Sequence, residues 1–118
     1  MLFRSPATPA PEEPAEGSAA EVEQAITSYY ALLPDDPQTA WDRTGPTLRA
    51  AENRGNYIAF WNRFSSVTLG PITATDGSLT ATVPVTYVEN GERLPEQHTI
   101  TLVRGDDGQL LVDSDRAD

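Results

Sequence analysis

The chain has 118 residues and a formal net charge of −10, with 18 acidic residues against eight arginines and no lysine. A surface with this charge repels phosphate groups, so nucleic acids and anionic membrane surfaces are unfavourable partners. The absence of cysteine excludes disulfide bonds, thiol nucleophiles and thiolate metal ligands.

The N-terminal stretch 1–17 differs in composition from the rest of the chain. Between Arg4 and Ser18 it is rich in proline and glutamate, and no aliphatic residue there is larger than alanine, which predicts a disordered linker or stalk. Residues 18–118 are enough for one domain with its own core. No run reaches the roughly 18 apolar residues of a membrane span, and the start is too short for a signal peptide. We therefore expect any membrane anchor to precede Met1.

The first helix is predicted to begin after Ser18, which forms a capping box with Glu21. Apolar residues then recur on one helical face: Val22, Ile26, Tyr29 and Leu33. Pro34 should end the helix, because the residue before a proline is disfavoured in the α conformation. We expect Tyr29 to pack in the core and Tyr30 to lie half exposed at the edge of this face.

Three shorter segments continue the helical pattern. The first follows Asp36 and places Ala40 and Trp41 inward, and the second is "TGPTLRAAEN" at 44–53. The sequence leaves open whether these two are separate helices or one bent unit, and the predicted architecture has three helices. The third segment, "GNYIAFWNRF", has an aromatic stripe that is more typical of a core than of a ligand site: Tyr57, Phe60, Trp61 and Phe64.

After Phe64 the apolar period changes from helical to alternating, which indicates strands. Asn90-Gly91 predicts a two-residue type I′ turn between two long strands, and this register pairs Tyr87 with Leu94 and Val83 with His98. The preceding strand, 66–75, should carry a bulge at Gly70-Pro71, because its apolar alternation slips there. The last strand, "QLLVD", follows the turn "GDDG".

The prolines Pro84 and Pro95 occupy positions that donate no hydrogen bond within this predicted hairpin. They deprive the outer neighbouring strands of a donor, so those strands should end or bulge beside them. The predicted fold class is therefore α+β, with three N-terminal helices packed on a bent, antiparallel four-stranded sheet. This half-cone resembles the nuclear transport factor 2-like (cystatin-like) superfamily, which implies a curved sheet wrapped around a helix and often a pocket between them.

Several segments also resemble the extracytoplasmic domain of actinobacterial membrane-anchored serine/threonine protein kinases and related membrane proteins: "YYALLPDD", "AWDRTGP", "YIAFWNRFSSV", "ATVPVTYVENGE", "HTITLVR" and "DGQLLVDS". The resemblance implies a sensory or interaction domain outside the cell membrane, tethered through the proline-rich stalk. It does not imply kinase activity in this chain, which lacks a glycine-rich phosphate loop and the H-R-D motif. We therefore expect a non-catalytic domain without a cofactor, which binds a small molecule or a cell-envelope or protein ligand.

The candidate ligand pocket combines aromatic and ionisable side chains from the predicted helices and strands: Tyr29, Tyr57, Trp61, Tyr87, Glu96 and His98. Two alternatives are open. The domain could be a homodimerisation or protein-interaction module, with an exposed apolar sheet face and no cavity. It could instead be a small isomerase or dehydratase, if Glu96 and His98 act as an acid–base pair in a dry pocket.

Metal binding is disfavoured by the sequence. His98 is the only histidine, which argues against zinc. Five aspartates could supply calcium ligands, but their spacing lacks the calcium-loop pattern and favours solvated turns: Asp76, Asp106, Asp107, Asp113 and Asp115.

Overall fold

The computed structural model describes residues 15–118, so most of the predicted linker 1–17 lies outside the described residues. The described chain forms four helices followed by four strands. The helices are α1 (Ala19–Tyr30), α2 (Pro37–Trp41), α3 (Pro46–Ala51) and α4 (Arg54–Trp61). The strands are β1 (Ser66–Leu69), β2 (Thr80–Glu89), β3 (Glu92–Arg104) and β4 (Leu110–Ala117). The α+β class and the antiparallel four-stranded sheet are confirmed.

The prediction of three N-terminal helices is corrected to four in residues 15–118, because α2 and α3 are separate. The chain between them pairs with β4: Val112 donates its N–H to the Arg43 carbonyl at 2.8 Å, and Gly45 donates to the Val112 carbonyl at 2.8 Å. A backbone engaged in these bonds cannot also continue a helix. The connection is therefore set by a strand that lies some 70 residues later in the sequence.

The start of α1 follows the prediction. The Ser18 hydroxyl accepts a hydrogen bond from the Glu21 N–H at 3.1 Å, and the Glu21 carboxylate accepts from the Gly17 N–H at 2.7 Å. The helix ends at Tyr30, before Pro34. The expectation that Tyr30 is half exposed is wrong, because its side chain is only 4% exposed and packs edge-on against Trp61.

The sheet is a meander in the order β1-β2-β3-β4. The register of the β2–β3 hairpin is confirmed, with Tyr87 opposite Leu94 and Val83 opposite His98. Asn90 and Gly91 have φ values of 54° and 81°, as a type I′ turn requires. The inward face of both strands carries the core residues, so this hairpin is the floor on which the helices pack. Buried positions on that face are Ala81, Val83, Val85, Tyr87, His98, Ile100 and Leu102.

The prolines shape both edges of the hairpin. Gly70 donates to the Pro84 carbonyl at 2.8 Å, but Pro84 has no N–H to return the bond, and β1 ends at Leu69. On the other side, β4 pairs with β3 only from His98 onwards and does not reach Pro95. The predicted bulge at Gly70-Pro71 is confirmed by a one-residue change in register between β1 and the isolated bridge that follows it.

The last strand is longer than the predicted "QLLVD" and extends to Ala117. It contains a bulge: Val112 pairs with Leu102, whereas Ser114 pairs with Thr101 and leaves Asp113 as the additional residue. Because side chains alternate along a strand, one additional residue reverses which side chains face inward. Asp115 therefore lies opposite the buried Ile100 on the core face.

We predict that Gly91→Ala lowers the free energy of unfolding by about 1–2 kcal/mol, because an alanine side chain is disfavoured at positive φ. No atom lies within 4 Å of the added Cβ, so backbone conformation alone sets this cost. Gly55→Ala is the matched control: it adds a methyl group to the first turn of α4 and should stabilise by about 0.5 kcal/mol. Urea denaturation of both variants measures the two effects, and an unchanged stability of Gly91→Ala would contradict the assigned turn.

Candidate functional site

One cleft of about 770 Å³ lies between α3 and α4 on one side and β2, β3 and β4 on the other. All six predicted pocket residues border it, so the fold brings together side chains that are up to 69 positions apart in the sequence: Tyr29, Tyr57, Trp61, Tyr87, Glu96 and His98. The α3 helix adds Leu48 and Ala51 to the wall, Glu52 follows directly after that helix, and the end of β4 adds 113–117. The sequence did not indicate these last two contributions.

The apolar wall of the cleft is a cluster of aromatic rings from α4 and β2. Tyr87 packs against Phe64 with ring centroids 4.7 Å apart and against Trp61 at 5.8 Å. Phe60 is 37% exposed and is the large hydrophobic residue that the described chain presents to solvent. The guanidinium of Arg63 covers the rings of Phe60 and Phe64 and pairs with Glu89 at 3.1 Å. This wall, whose solvent-exposed edge is Phe60, is therefore a surface on which an apolar group of a ligand can pack.

The inner end of the cleft contains two hydrogen-bonded tyrosines. The hydroxyls of Tyr29 and Tyr57 are 2.5 Å apart and buried. Burial raises the pKa of Tyr57 to about 12, and burial followed by the nearby Tyr57 raises that of Tyr29 well above its ordinary value. Both hydroxyls therefore stay protonated at physiological pH and act as neutral hydrogen-bonding groups.

The polar centre of the cleft is His98 with its carboxylate partners. The Nδ1 atom of His98 lies 2.5 Å from Oδ1 of Asp115, and Nε2 lies 2.8 Å from Oε1 of Glu96. The Tyr87 hydroxyl is 3.3 Å from the same Nε2, and the Tyr30 hydroxyl donates to the other oxygen of Asp115. Helix α1 and strands β2, β3 and β4 thus all meet at one imidazole.

This geometry favours the protonated, positively charged form of His98. A neutral imidazole has one N–H donor and could satisfy only one of the two carboxylates, whereas the imidazolium donates to both. Burial by itself lowers the pKa of His98, but the hydrogen bond and charge of Asp115, and then those of Glu96, outweigh burial and raise the pKa above 6.5. His98 is thus a nearly buried imidazole with a carboxylate oxygen at each ring nitrogen, an arrangement that favours a cation.

The two carboxylates differ in their exposure to solvent. The side chain of His98 is 5% exposed and that of Asp115 13%, whereas that of Glu96 is 43% exposed. Asp115 is therefore the structural partner, enclosed and additionally bonded to Tyr30, and Glu96 lies at the mouth of the cleft. Glu96 is accessible to solvent, although its carboxylate turns back to His98.

Sequence reasoning missed Asp115, which was assigned with the other aspartates to solvated turns. That assignment is wrong for Asp113 and Asp115, since both lie on β4. The period-two pattern could not have identified Asp115 because the bulge at Asp113 changes the parity of the strand. Within residues 15–118 no group of three His, Cys, Asp or Glu side chains has the arrangement needed to hold a metal ion.

The Asp113 side chain also explains why α3 borders the cleft. Its Oδ1 accepts the Thr47 N–H at 2.8 Å, in the first turn of α3, where backbone N–H groups have no partner within the helix. Gly45 allows this approach, since a Cβ at that position would lie 2.4 Å from the same carboxylate oxygen. The bulge residue therefore anchors the helix that forms one wall.

Comparisons with known proteins leave the family open. No protein-family model matches the sequence, and no curated protein or solved structure is significantly similar to it. The helices in residues 15–118 are too short and too polar to cross a membrane.

We predict that the stability of the protein falls as pH rises through the folded-state pKa of His98. The folded pKa lies above the ordinary value of 6.5, so the stabilisation is fully present below 6.5 and is lost above the raised pKa. Urea denaturation at intervals from about pH 6 to pH 9 measures this dependence, because no other histidine and no cysteine titrates there. His98→Gln should abolish it. An equally stable wild-type protein across the range would show that folding does not raise the pKa of His98, and a stability that increases with pH would show that the folded state favours the neutral imidazole.

Proposed function

We propose that this chain is the ligand-binding sensor domain of a membrane-anchored serine/threonine protein kinase, located outside the cell membrane and not itself catalytic. The observation that carries the ligand-binding role is the cleft, in which all six predicted residues meet. Its volume lies within the range of small-molecule sites, and its exposed lining is mainly apolar, with aromatic rings next to ionisable side chains, as in many such sites.

The place where the N-terminal segment joins the domain supports the tethered arrangement. At the entry to the domain, Gly77 donates to the Gly17 carbonyl at 2.7 Å, and Arg104 binds the Glu21 carboxylate at 2.9 Å through two nitrogens. Arg104 ends β3, whereas the cleft residues of β3 lie before and at His98. Six residues of strand separate them by about 20 Å. If the stalk joins the domain beside Arg104, the cleft lies at the opposite end of the sheet and is accessible to ligands.

The kinase connection is supported by the sequence segments that resemble kinase extracytoplasmic domains and by the proline-rich composition of 1–17. The half-cone of the nuclear transport factor 2-like superfamily belongs to the same proposal. It agrees in element order with the helices-then-meander arrangement of the described residues.

A small isomerase or dehydratase is the second candidate, because Glu96 and His98 are in direct hydrogen-bonding contact inside the cleft. That mechanism needs a dry pocket and a ring nitrogen free to exchange a proton with substrate. Here Glu96 is 43% exposed and both nitrogens of His98 face carboxylates, so the geometry favours binding over catalysis. Homodimerisation is less well supported, since the outer face of β2 presents Thr82, Pro84 and Thr86 rather than a broad apolar surface.

We predict that small aromatic compounds bind this cleft and that Phe60→Ala weakens their binding about threefold to tenfold, through loss of apolar contact at the exposed edge. A fragment set is screened by NMR on the chain, with quenching of tryptophan fluorescence as a second readout. Ile58→Ala is the control, because Ile58 lies on the same helix but outside the cleft lining. If Ile58→Ala weakens binding as strongly as Phe60→Ala, the compounds bind elsewhere.

We predict that the domain is accessible from outside intact cells. The chain has no cysteine, so Glu23→Cys, at an exposed position of α1, introduces a single thiol into it. In the full-length protein expressed in its native host, this thiol should react with a membrane-impermeant maleimide without cell lysis. Val83→Cys, fully buried, should stay unlabelled in the folded domain. Labelling of Glu23→Cys only after lysis would contradict the extracytoplasmic location.

A further inference from the structure

The contact between Glu96 and His98 joins a nearly buried imidazole to a carboxylate that is accessible from solvent. Glu96 lies two residues before His98 on β3, and its Oε1 accepts from Nε2 at 2.8 Å. The Glu96 side chain is 43% exposed, so its carboxylate can return to water without crossing the core. Its release would leave the Nε2–H of His98 directed into the cleft that His98 borders.

His98 can keep its charge when Glu96 leaves. The second carboxylate, Asp115, is only 13% exposed, lies 2.5 Å from Nδ1 and is held by the Tyr30 hydroxyl. A carboxylate enclosed in this way stabilises an imidazolium strongly, because solvent screens the pair little. Asp115 therefore keeps His98 protonated, so that its Nε2–H remains a hydrogen-bond donor. Glu96 only accepts the hydrogen bond from this group.

We propose that the ligand of this cleft carries a carboxylate that displaces Glu96 from Nε2 of His98, so that Glu96 acts as an internal competitor for the site. This inference rests on the proposed ligand-binding function and specifies the ligand class, an aromatic or other apolar carboxylate. The carboxylate would accept from Nε2 and from the Tyr87 hydroxyl, 3.3 Å from Nε2, and the apolar part would lie on the wall of Trp61 and Phe60.

The cleft lining includes four carboxylates, those of Glu52, Glu96, Asp113 and Asp115, so the preference for an anion is local to Nε2 of His98. An ammonium group near Nε2 would be repelled by the imidazolium. The imidazolium also offers no hydrogen-bond acceptor, because both of its ring nitrogens carry a proton. Exchange of one carboxylate for another leaves the charge next to His98 unchanged, which allows anion binding in spite of the net charge of −10.

The experiment compares three ligands of similar size: phenylacetate, its neutral amide phenylacetamide, and the cation phenethylamine. Each is titrated into the 118-residue chain, and the ring protons of His98, the only histidine, report binding by NMR. Phenylacetate should bind best. Glu96→Gln should tighten phenylacetate about tenfold, since a neutral amide competes less well for the imidazolium, while leaving phenylacetamide within about twofold.

Glu52→Gln is the matched control, because it also removes one carboxylate from the cleft lining. Glu52→Gln should strengthen the binding of phenylacetate by less than about threefold, because it only makes the electrostatic potential of the cleft less negative. Binding of phenylacetate should also weaken at pH values above the pKa of His98, which tests the role of the imidazolium without a substitution.

Three results would overturn the inference. The first is an equal gain in Glu52→Gln and Glu96→Gln, which would mean that the electrostatic potential of the cleft, and not the displacement of Glu96, governs affinity. The second is preferential binding of phenethylamine that Glu96→Gln weakens, in which case Glu96 is a receptor for cations and the ligand-binding function itself stands. Failure of all three ligands, together with hits in the fragment screen, would also reject the carboxylate while retaining the cleft as a site.

Discussion

The register of the β2–β3 hairpin is the constraint on which the rest of the structure depends. Because side chains alternate with a period of two, this pairing places Val83, Tyr87 and His98 on the same face. The helices then pack their apolar faces against it, and a slip of one residue would expose the core and bury the threonines of β2. The turn at Asn90-Gly91 secures the register locally, since both residues have the positive φ that it needs.

The bulge at Asp113 is the second determinant, and it acts on the site in two ways. It reverses the alternation of β4, so that Asp115 and not Ser114 lies opposite Ile100 and reaches His98. Its own side chain accepts the Thr47 N–H and so fixes α3 against the sheet. The electrostatic partner of the histidine and one wall of the cleft thus originate from one additional residue in an edge strand, a position where bulges commonly re-aim side chains.

The cleft concentrates opposite charges in a protein that is strongly acidic. The carboxylate of Asp115 encloses His98 and favours its protonated form, and Glu96 occupies the outer ring nitrogen from a position in contact with water. In the proposed exchange only the solvent-accessible Glu96 moves, while the enclosed contact between His98 and Asp115 is already formed before a ligand arrives. The hydrogen bonding of both ring nitrogens disfavours proton transfer to a substrate, which separates a binding site of this kind from an acid–base catalyst.

The sequence by itself determined the features that depend on local periodicity and turn chemistry. These include the cap at Ser18, the hairpin register, the bulge at Gly70-Pro71 and the strand ends beside Pro84 and Pro95. The six pocket residues were also predictable, since they fall on the inward faces of regular elements. Only the tertiary structure decided the burial of Tyr30, the separation of α2 from α3 and the role of Asp115. Each of these depends on the pairing of β4 with chain segments distant in sequence, and an irregularity such as the Asp113 bulge leaves no periodic signal from which side-chain direction could be read.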